Sequence, residues 1–422
     1  MNFKKQTLKN GLTLITSPIK DAPSVTVLVT VATGSKYENK ELNGLSHFLE
    51  HMCFKGTKKR PKAIDISREL DSIGSQNNAF TSQEFTGYYA KVHPGHLNEI
   101  LDIVSDIYVN PVFDEIEIEK EKGVIIEEIN MYEDMPNRIV HDVFMEVMYG
   151  DQPAGWNIAG TKENVNKMTR EDFLNYRRKH YVASATTVIV SGNFDEKEMK
   201  DKVEKLFENI PQNKKEGKIS TIEKQLRPNI KIKHKETDQT HIVIGVRTFD
   251  SKDDRNISLK VLNAVLGGGM SSRLFQKLRD EMGVGYYVRS GVDEYTDHGY
   301  LAVSTGVDTS RVSEVVSAVL SEMKRFVDEI VPEKELQKAK DYTIGNMYLG
   351  LESSDSLGEY YAIQNILSDE ILTPREFAEK IQKVTSEEIM AVAKEIIKDD
   401  KLNMAIVGNI KDKEALSKVF HF

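Results

Sequence analysis

The stretch Gly44–Gly56, GLSHFLEHMCFKG, sets two imidazoles and a carboxylate close together: His47, Glu50 and His51. If the segment is helical, each residue turns about 100°, so His47 and His51 stand about 40° apart and one turn along the axis. Two imidazole nitrogens placed that way suit a single tetrahedral ion. Glu50 falls about 60° to the other side of His47, where it could take a proton from a water on that ion without being a ligand itself. Histidines four apart also occur on ordinary helix surfaces, so the pattern needs support from the rest of the chain.

His-x-x-Glu-His is the inverted form of the better-known zinc-protease helix motif. Here it continues as HMCFKGTKKRP, then GSQNNAFTSQEFTGYY, then EKEKGVIIEEINMYEDMP. On these linked motifs the chain resembles the M16 peptidase family, which includes the mitochondrial processing peptidase β subunit and insulin-degrading enzyme. The resemblance spans nearly the whole chain and is closest to short bacterial members that hold two homologous domains. It implies a zinc endopeptidase acting on unstructured or presequence-like peptides, with one Zn2+ per chain bound by His47, His51 and a downstream glutamate. Glu127 and Glu128 are the candidates for that third ligand, and their spacing and the VIIEEI context favour Glu128. Glu50 matches the family's general base, and Glu121, two helical turns before Glu128, matches a supporting glutamate.

Three further expectations follow from the resemblance. Asn78, Ala79 and Phe80 correspond to an edge strand on which family members lay their substrate, where main-chain hydrogen bonds hold an extended peptide. Arg279 and Tyr286, in SSRLFQKLRDEMGVGYYV, match a pair that family members project toward the bound peptide. A chain of this length supplies half of the clamshell chamber of full-length relatives, so a homodimer is expected, each site being completed by the partner chain.

The elements that must position these residues alternate between strand and helix. LTLITSP and SVTVLVTVA read as strands, Leu42–Lys55 and Lys62–Gly74 as helices, and EFTGYYAKV as a strand. Pro94 opens an apolar-periodic helix through GHLNEILDIVSDIYV, and a long charged helix runs from Asp114 to Tyr149 with a bend near Pro136. ATTVIVSGNF is a further strand, and DEKEMKDKVEKLFENI a helix. Residues 211–228 are polar, lysine-rich and aperiodic, and read as a linker.

After the linker the pattern returns. TTVIVSGNFDEKEMKDKVEKLF (186–207) is echoed by LNMAIVGNIKDKEALSKVF (402–420), and TGYYAKV (86–92) by HGYLAVS (298–304). The expected fold is therefore α+β, with two homologous α/β domains, each a mixed, largely antiparallel sheet covered by helices. Residues 1–210 would form the zinc-binding domain and 229–422 its homologue, which reads LKVLNAVLGG near 259–268 and has no histidine pair.

Composition sets the outer bounds. The chain has 422 residues, 39% hydrophobic and 29% charged, with a net charge of -9. That balance argues against nucleic acid as the main partner, since phosphate binding needs a basic face. The lone Cys53 permits no intrachain disulfide, and no apolar run reaches the roughly 20 residues of a membrane span. A cytoplasmic protein is expected. LGGGMSSR lacks the lysine of a phosphate loop, His93 and His96 flank a Pro-Gly turn, and KGTKKRPK reads as a solvated loop.

Overall fold

The β-branched run Val25–Val31 is buried along its whole length and lies in the middle of a sheet. A computed structural model gives this architecture and describes residues 2–285, 287–410 and 413–422. The chain clusters into two compact units. Unit 1 is Met1–Ile129, Asn157–Ile219 and Leu349–Thr373; unit 2 is Asn130–Trp156, Ser220–Tyr348 and Pro374–Phe422. Two stretches thus cluster with the unit opposite to the half of the sequence they come from. No described helix is long and apolar enough to cross a membrane.

The sheet of unit 1 is built from β1 (Lys4–Thr7), β2 (Thr13–Pro18), β3 (Val25–Val31), β4 (Gln76–Thr81), β5 (Thr86–Val92) and β6 (Thr186–Gly192), in the order β1-β2-β6-β3-β5-β4. Only β2 and β6 pair in parallel. Alternation along β3 serves two faces. Val25, Val27, Val29 and Val31 point into the main core with Ile100, Ile103 and Ile107 of the helix Leu97–Val109. Thr26 points the other way, and its hydroxyl lies 2.8 Å from that of Ser354, on the helix Ser354–Leu367.

Unit 2 repeats the plan. Its strands are β7 (Asn229–His234), β8 (Thr240–Arg247), β9 (Tyr287–Tyr295), β10 (His298–Val307) and β11 (Leu402–Gly408), in the order β7-β11-β8-β10-β9, with only β7 and β11 parallel. This matches β2-β6-β3-β5-β4 strand for strand, and it puts the two echoed sequence pairs at equivalent places, β6 with β11 and β5 with β10. Ile242, Ile244 and Val246 of β8 face the main core of the unit. Val243 faces the helix Pro136–Tyr149, through Val140, Val143 and Phe144.

The long helix expected over 114–149 is two helices, Glu115–Glu133 and Pro136–Tyr149. Proline has no N–H to donate and sits well in a first turn, so Pro136 starts a new helix instead of bending an old one. Residues 211–228 carry no helix or strand, but they are docked. The Thr221 and Ile222 N–H groups donate to Asp297 and Gln152, and Gln225 Nε2 donates to the Leu402 carbonyl. KGTKKRPK is not simply solvated either. Arg60 is buried, and its guanidinium bonds Glu69, Asp102 and Asp106 at 2.7, 2.7 and 2.8 Å. Composition could not reveal this, because the three carboxylates come from two later helices.

Candidate metal centre

His47, Glu50 and His51 lie on the helix Leu45–Cys53, whose other face, Leu45, Ser46, Phe48, Leu49, Met52 and Cys53, is buried. Burial of that face fixes the helix's rotation and turns the imidazoles outward. The helix begins at Gly44, where φ is 104° and an added Cβ would sit 2.6 Å from the Ala159 carbonyl oxygen. Glycine is needed there on both counts. No Ser, Thr, Asp or Asn caps this N-terminus. Glu38 does so instead, its carboxylate accepting from the Gly44 and Ser46 N–H groups at 2.8 and 2.6 Å and from the Asn43 amide at 3.1 Å. These donors favour the ionised form, but burial outweighs them and pushes Glu38 up to about 7. Capping patterns look one to three residues back, so they pass over a glutamate this far upstream.

The glutamate helix, Glu115–Glu133, brings Glu128 to the two histidines. Glu128 Oε2 is 3.6 Å from His47 Nε2 and 3.7 Å from His51 Nε2. One ligand atom from each of the three residues lies within 4.8 Å of the others. Ligands about 2.0–2.2 Å from a tetrahedral ion stand roughly 3.3–3.6 Å apart, so this N2O donor set suits zinc with an open fourth position. Glu127 is exposed, and Glu128 is the member of the pair that the structure brings to the histidines.

Glu121 lies two turns before Glu128 on the same helix and is buried. Its Oε1 is 2.9 Å from His51 Nδ1 and its Oε2 is 2.5 Å from Lys55 Nζ. A carboxylate at Nδ1 keeps the proton there and leaves Nε2 as the lone-pair donor, as metal-binding imidazoles require. Burial alone would raise Glu121, but the His51 and Lys55 bonds outweigh it and hold the carboxyl below its ordinary range. His47 is driven down to about 4 by burial and by His51, against the pull of Glu128. It is therefore neutral near pH 7, the form that binds a metal. Its Nδ1 is buried without a hydrogen-bond partner among the described residues. For His51 burial lowers the pKa, but the Glu121 bond and the surrounding carboxylates leave it raised. Burial also raises Glu50, against the opposing effects of Thr81 and His51.

The other expected residues fall as follows. Asn78, Ala79 and Phe80 lie on β4, an edge strand with β5 on one side. Asn78 is exposed, and its Oδ1 accepts from the Ala79 N–H at 2.9 Å. Phe80 lies across Gly87, where a Cβ would meet the ring at 2.3 Å. Arg279 is in unit 2, on the π-helical turn Gln276–Glu281, and lines a cleft of about 450 Å³ with Gly283, Val284, Gly285, Asp308 and Arg311. Tyr286 lies outside the described residues. Three residues near the cluster were not expected from the sequence, Lys55 beside Glu121 among them. Glu38 caps the histidine helix, and Thr81 donates its hydroxyl proton to Glu50 Oε2 at 2.5 Å.

Comparison with known proteins agrees with the family to which the motifs point. Residues 14–162 match the family model described as Insulinase (Peptidase family M16), and residues 167–342 match the one described as Peptidase M16 inactive domain. The zinc protease YmxG of Bacillus subtilis (strain 168), described as uncharacterized, is 36% identical over 402 residues, covering 94% of this chain and 96% of that protein. The zinc protease SCO5738 of Streptomyces coelicolor, likewise described as uncharacterized, is 32% identical over 424 residues, covering 98% and 91%. Among solved structures, a protease from Helicobacter pylori superposes with a TM-score of 0.88 at 22% identity, over 96% of this chain and 99% of that one. The peptidase M16 inactive domain from Pseudomonas fluorescens gives 0.88 at 15% identity, over 98% and 100%. At those identities the structural likeness speaks for the fold.

Proposed function

The chain belongs to peptidase family M16, and from that premise we propose that it cuts unstructured peptides beside a zinc ion held by His47, His51 and Glu128. It is a metallopeptidase and its metal is zinc. The observation that carries the reading is the convergence of two imidazole nitrogens and one carboxylate oxygen within 4.8 Å. When bound, zinc supplies Lewis acidity to a carbonyl and to water.

The chain's own residues do the rest. Glu50 accepts a proton from the attacking water and returns it to the leaving amine, as a half-buried carboxylate with a raised pKa is suited to do. Glu121 holds His51 in the tautomer that presents Nε2, and Lys55 secures Glu121 in turn. The peptide lies extended along β4 beside Asn78, Ala79 and Phe80, which makes recognition broad, since main-chain bonds carry little side-chain information. Arg279 and Tyr286 meet the peptide carbonyl as donors, supplied by the partner copy of a homodimer. A single cysteine fits work in a reducing cytoplasm.

The test is cleavage of an unstructured, lysine-containing peptide by purified protein and by Glu50→Gln, at matched zinc content. Cleavage by the wild type and none by the variant is the expected result. If both hold zinc and neither cuts, the proposed endopeptidase activity of the chain alone is wrong. For shared sites, mixing inactive Glu50→Gln with inactive Arg279→Ala should restore cleavage; none after verified subunit exchange would overturn the shared-site homodimer.

A further inference from the structure

Glu50 sits among charges but is held by little. Among the described residues its carboxylate takes one hydrogen bond, from the Thr81 hydroxyl to Oε2 at 2.5 Å. Thr81 is the last residue of β4, the strand on which the proposed substrate lies, and it pairs with Thr86 of β5. Along a strand, side chains alternate between faces. Ala79 packs against the main core, and Thr81, two residues on, shares its face and reaches the histidine helix. One short segment therefore offers main chain on its outer edge and a hydroxyl to the group that would act on the bound peptide.

That hydroxyl is itself well anchored. The turn after Thr81 is closed by a Ser82 N–H bond to the Phe85 carbonyl at 2.8 Å. It is stitched to the segment after β3 by the Ser35 and Lys36 N–H groups, which donate to the Ser82 and Gln83 carbonyls at 3.2 and 2.9 Å. Beneath it lies a buried ion pair, Lys36 Nζ to Glu84 Oε1 at 3.1 Å, with side chains 0% and 1% exposed. Lys218 also pairs with Glu84. A charge pair this deeply buried holds its geometry closely, because separating the partners would strand a charge away from water. The end of β4 is thus fixed from below, and Thr81 passes that fixity to Glu50.

We propose that Thr81 is a positioning residue for Glu50. Its hydroxyl holds Oε2 and leaves Oε1 to accept the proton, so the strand that receives the peptide also aims the base at it. The inference rests on the reading of Glu50 as the proton carrier. A base that swings away by even about 1 Å loses much of its rate advantage, whereas the peptide's main-chain contacts with β4 do not involve this hydroxyl.

The substitution Thr81→Val keeps the volume and β-branching and removes the hydroxyl; Thr81→Ser keeps the hydroxyl. In the zinc-loaded protein, Thr81→Val should lower kcat by about tenfold or more, with KM changed less than about twofold. Zinc content and Tm should be unchanged, and Thr81→Ser should restore most of kcat. Crystal structures of metal-free wild type and Thr81→Val give a readout independent of turnover: Glu50 should hold one rotamer on Thr81 in the first and leave it in the second.

An unchanged kcat in Thr81→Val, a serine variant as slow as the valine variant, or a Glu50 that keeps its place without the hydroxyl would each overturn the inference. If Glu50→Gln loses cleavage while Thr81→Val keeps it, the base stands and the inference about Thr81 falls. If Glu50→Gln still cuts, or the wild type does not, the reading of Glu50 falls, and the crystal comparison still decides whether Thr81 orients it.

Discussion

The two units can be compared residue by residue at the helices that make the site in one of them. The histidine helix buries Leu45, Ser46, Phe48, Leu49, Met52 and Cys53; the helix Asn256–Gly267 of unit 2 buries Ser258, Leu259, Val261, Leu262, Val265 and Leu266, at the same spacing. In that register Lys260, Asn263 and Ala264 stand where unit 1 has His47, Glu50 and His51. The glutamate helix buries Ile118, Glu121 and Lys122; the helix Glu333–Gly350 buries Leu336, Ala339 and Lys340. Ala339 therefore stands for Glu121 and Asn346 for Glu128. The lysines remain the same: Lys122 Nζ donates to the Asn166 carbonyl and Lys340 Nζ to the Gln382 carbonyl, each at 3.0 Å. Each of those carbonyls precedes a Lys-x-Thr whose threonine opens a helix with a reciprocal cap, Thr169 with Asp172 and Thr385 with Glu388. The duplicated frame keeps its packing and its buried lysine in both copies, while every group proposed to touch the metal or its water is confined to one. On the histidine helix packing and candidate site are separable because they occupy opposite faces; on the glutamate helix they share one stripe, with Ile118 and Ile125 packed and Glu121 turned to His51.

That separation can be broken by writing unit 2 into unit 1. Glu128→Asn, copying Asn346, removes the proposed charged ligand; zinc content after dialysis should collapse, with affinity down by more than about 100-fold and peptide cleavage lost, at near-native Tm. Glu121→Ala, copying Ala339, leaves the proposed ligands but frees His51; zinc affinity should fall by about 10–100-fold, measured by competition with a chelator. The frame should respond in the opposite way. Lys122→Met and Lys340→Met should each cost about 1–3 kcal/mol in denaturant unfolding, with the zinc affinity of the second unchanged. Equal loss of zinc in both lysine variants would break the division between frame and site.

A smaller effect tests the buried glutamate cap of unit 1. In the same register Asn43 and Asn256 are both buried, but Asn43 donates to the Glu38 carboxylate and Asn256 to the Asp250 carbonyl. Burial raises Glu38 to about 7 from its ordinary 4.5. Between those values the folded chain keeps a proton that the unfolded chain gives up, so stability conferred at low pH is lost as pH rises through that window. Glu38→Gln removes the slope. Relative to wild type, the variant should gain about 1–2 kcal/mol between pH 5.5 and 7, whatever its constant offset, as read from urea midpoints at each pH.

The candidate site was legible because its parts are local. His47, Glu50 and His51 share one helix, and helical pitch alone puts them on one face. Glu128 and Glu121 lie on a second helix whose pitch aligns them two turns apart. The duplication was legible because equivalent strands keep the same apolar pattern in both halves. What sequence could not decide were the meetings between elements whose periodicity says how much of a face is buried, but not against what. Nothing in PNRIVHDVFMEVMY assigns that helix to Val243 and Ala405, or SDSLGEYYAIQNIL to Thr26. Arg60 with its carboxylates, Glu38 beneath the histidine helix and Thr81 against Glu50 are polar contacts between elements of the fold, and polar side chains leave no periodic trace of their partners. The sequence by itself determined which residues can do the chemistry; the tertiary structure decided what holds them still, because only the packed chain brings a hydroxyl and a carboxylate from distant segments to hydrogen-bonding distance.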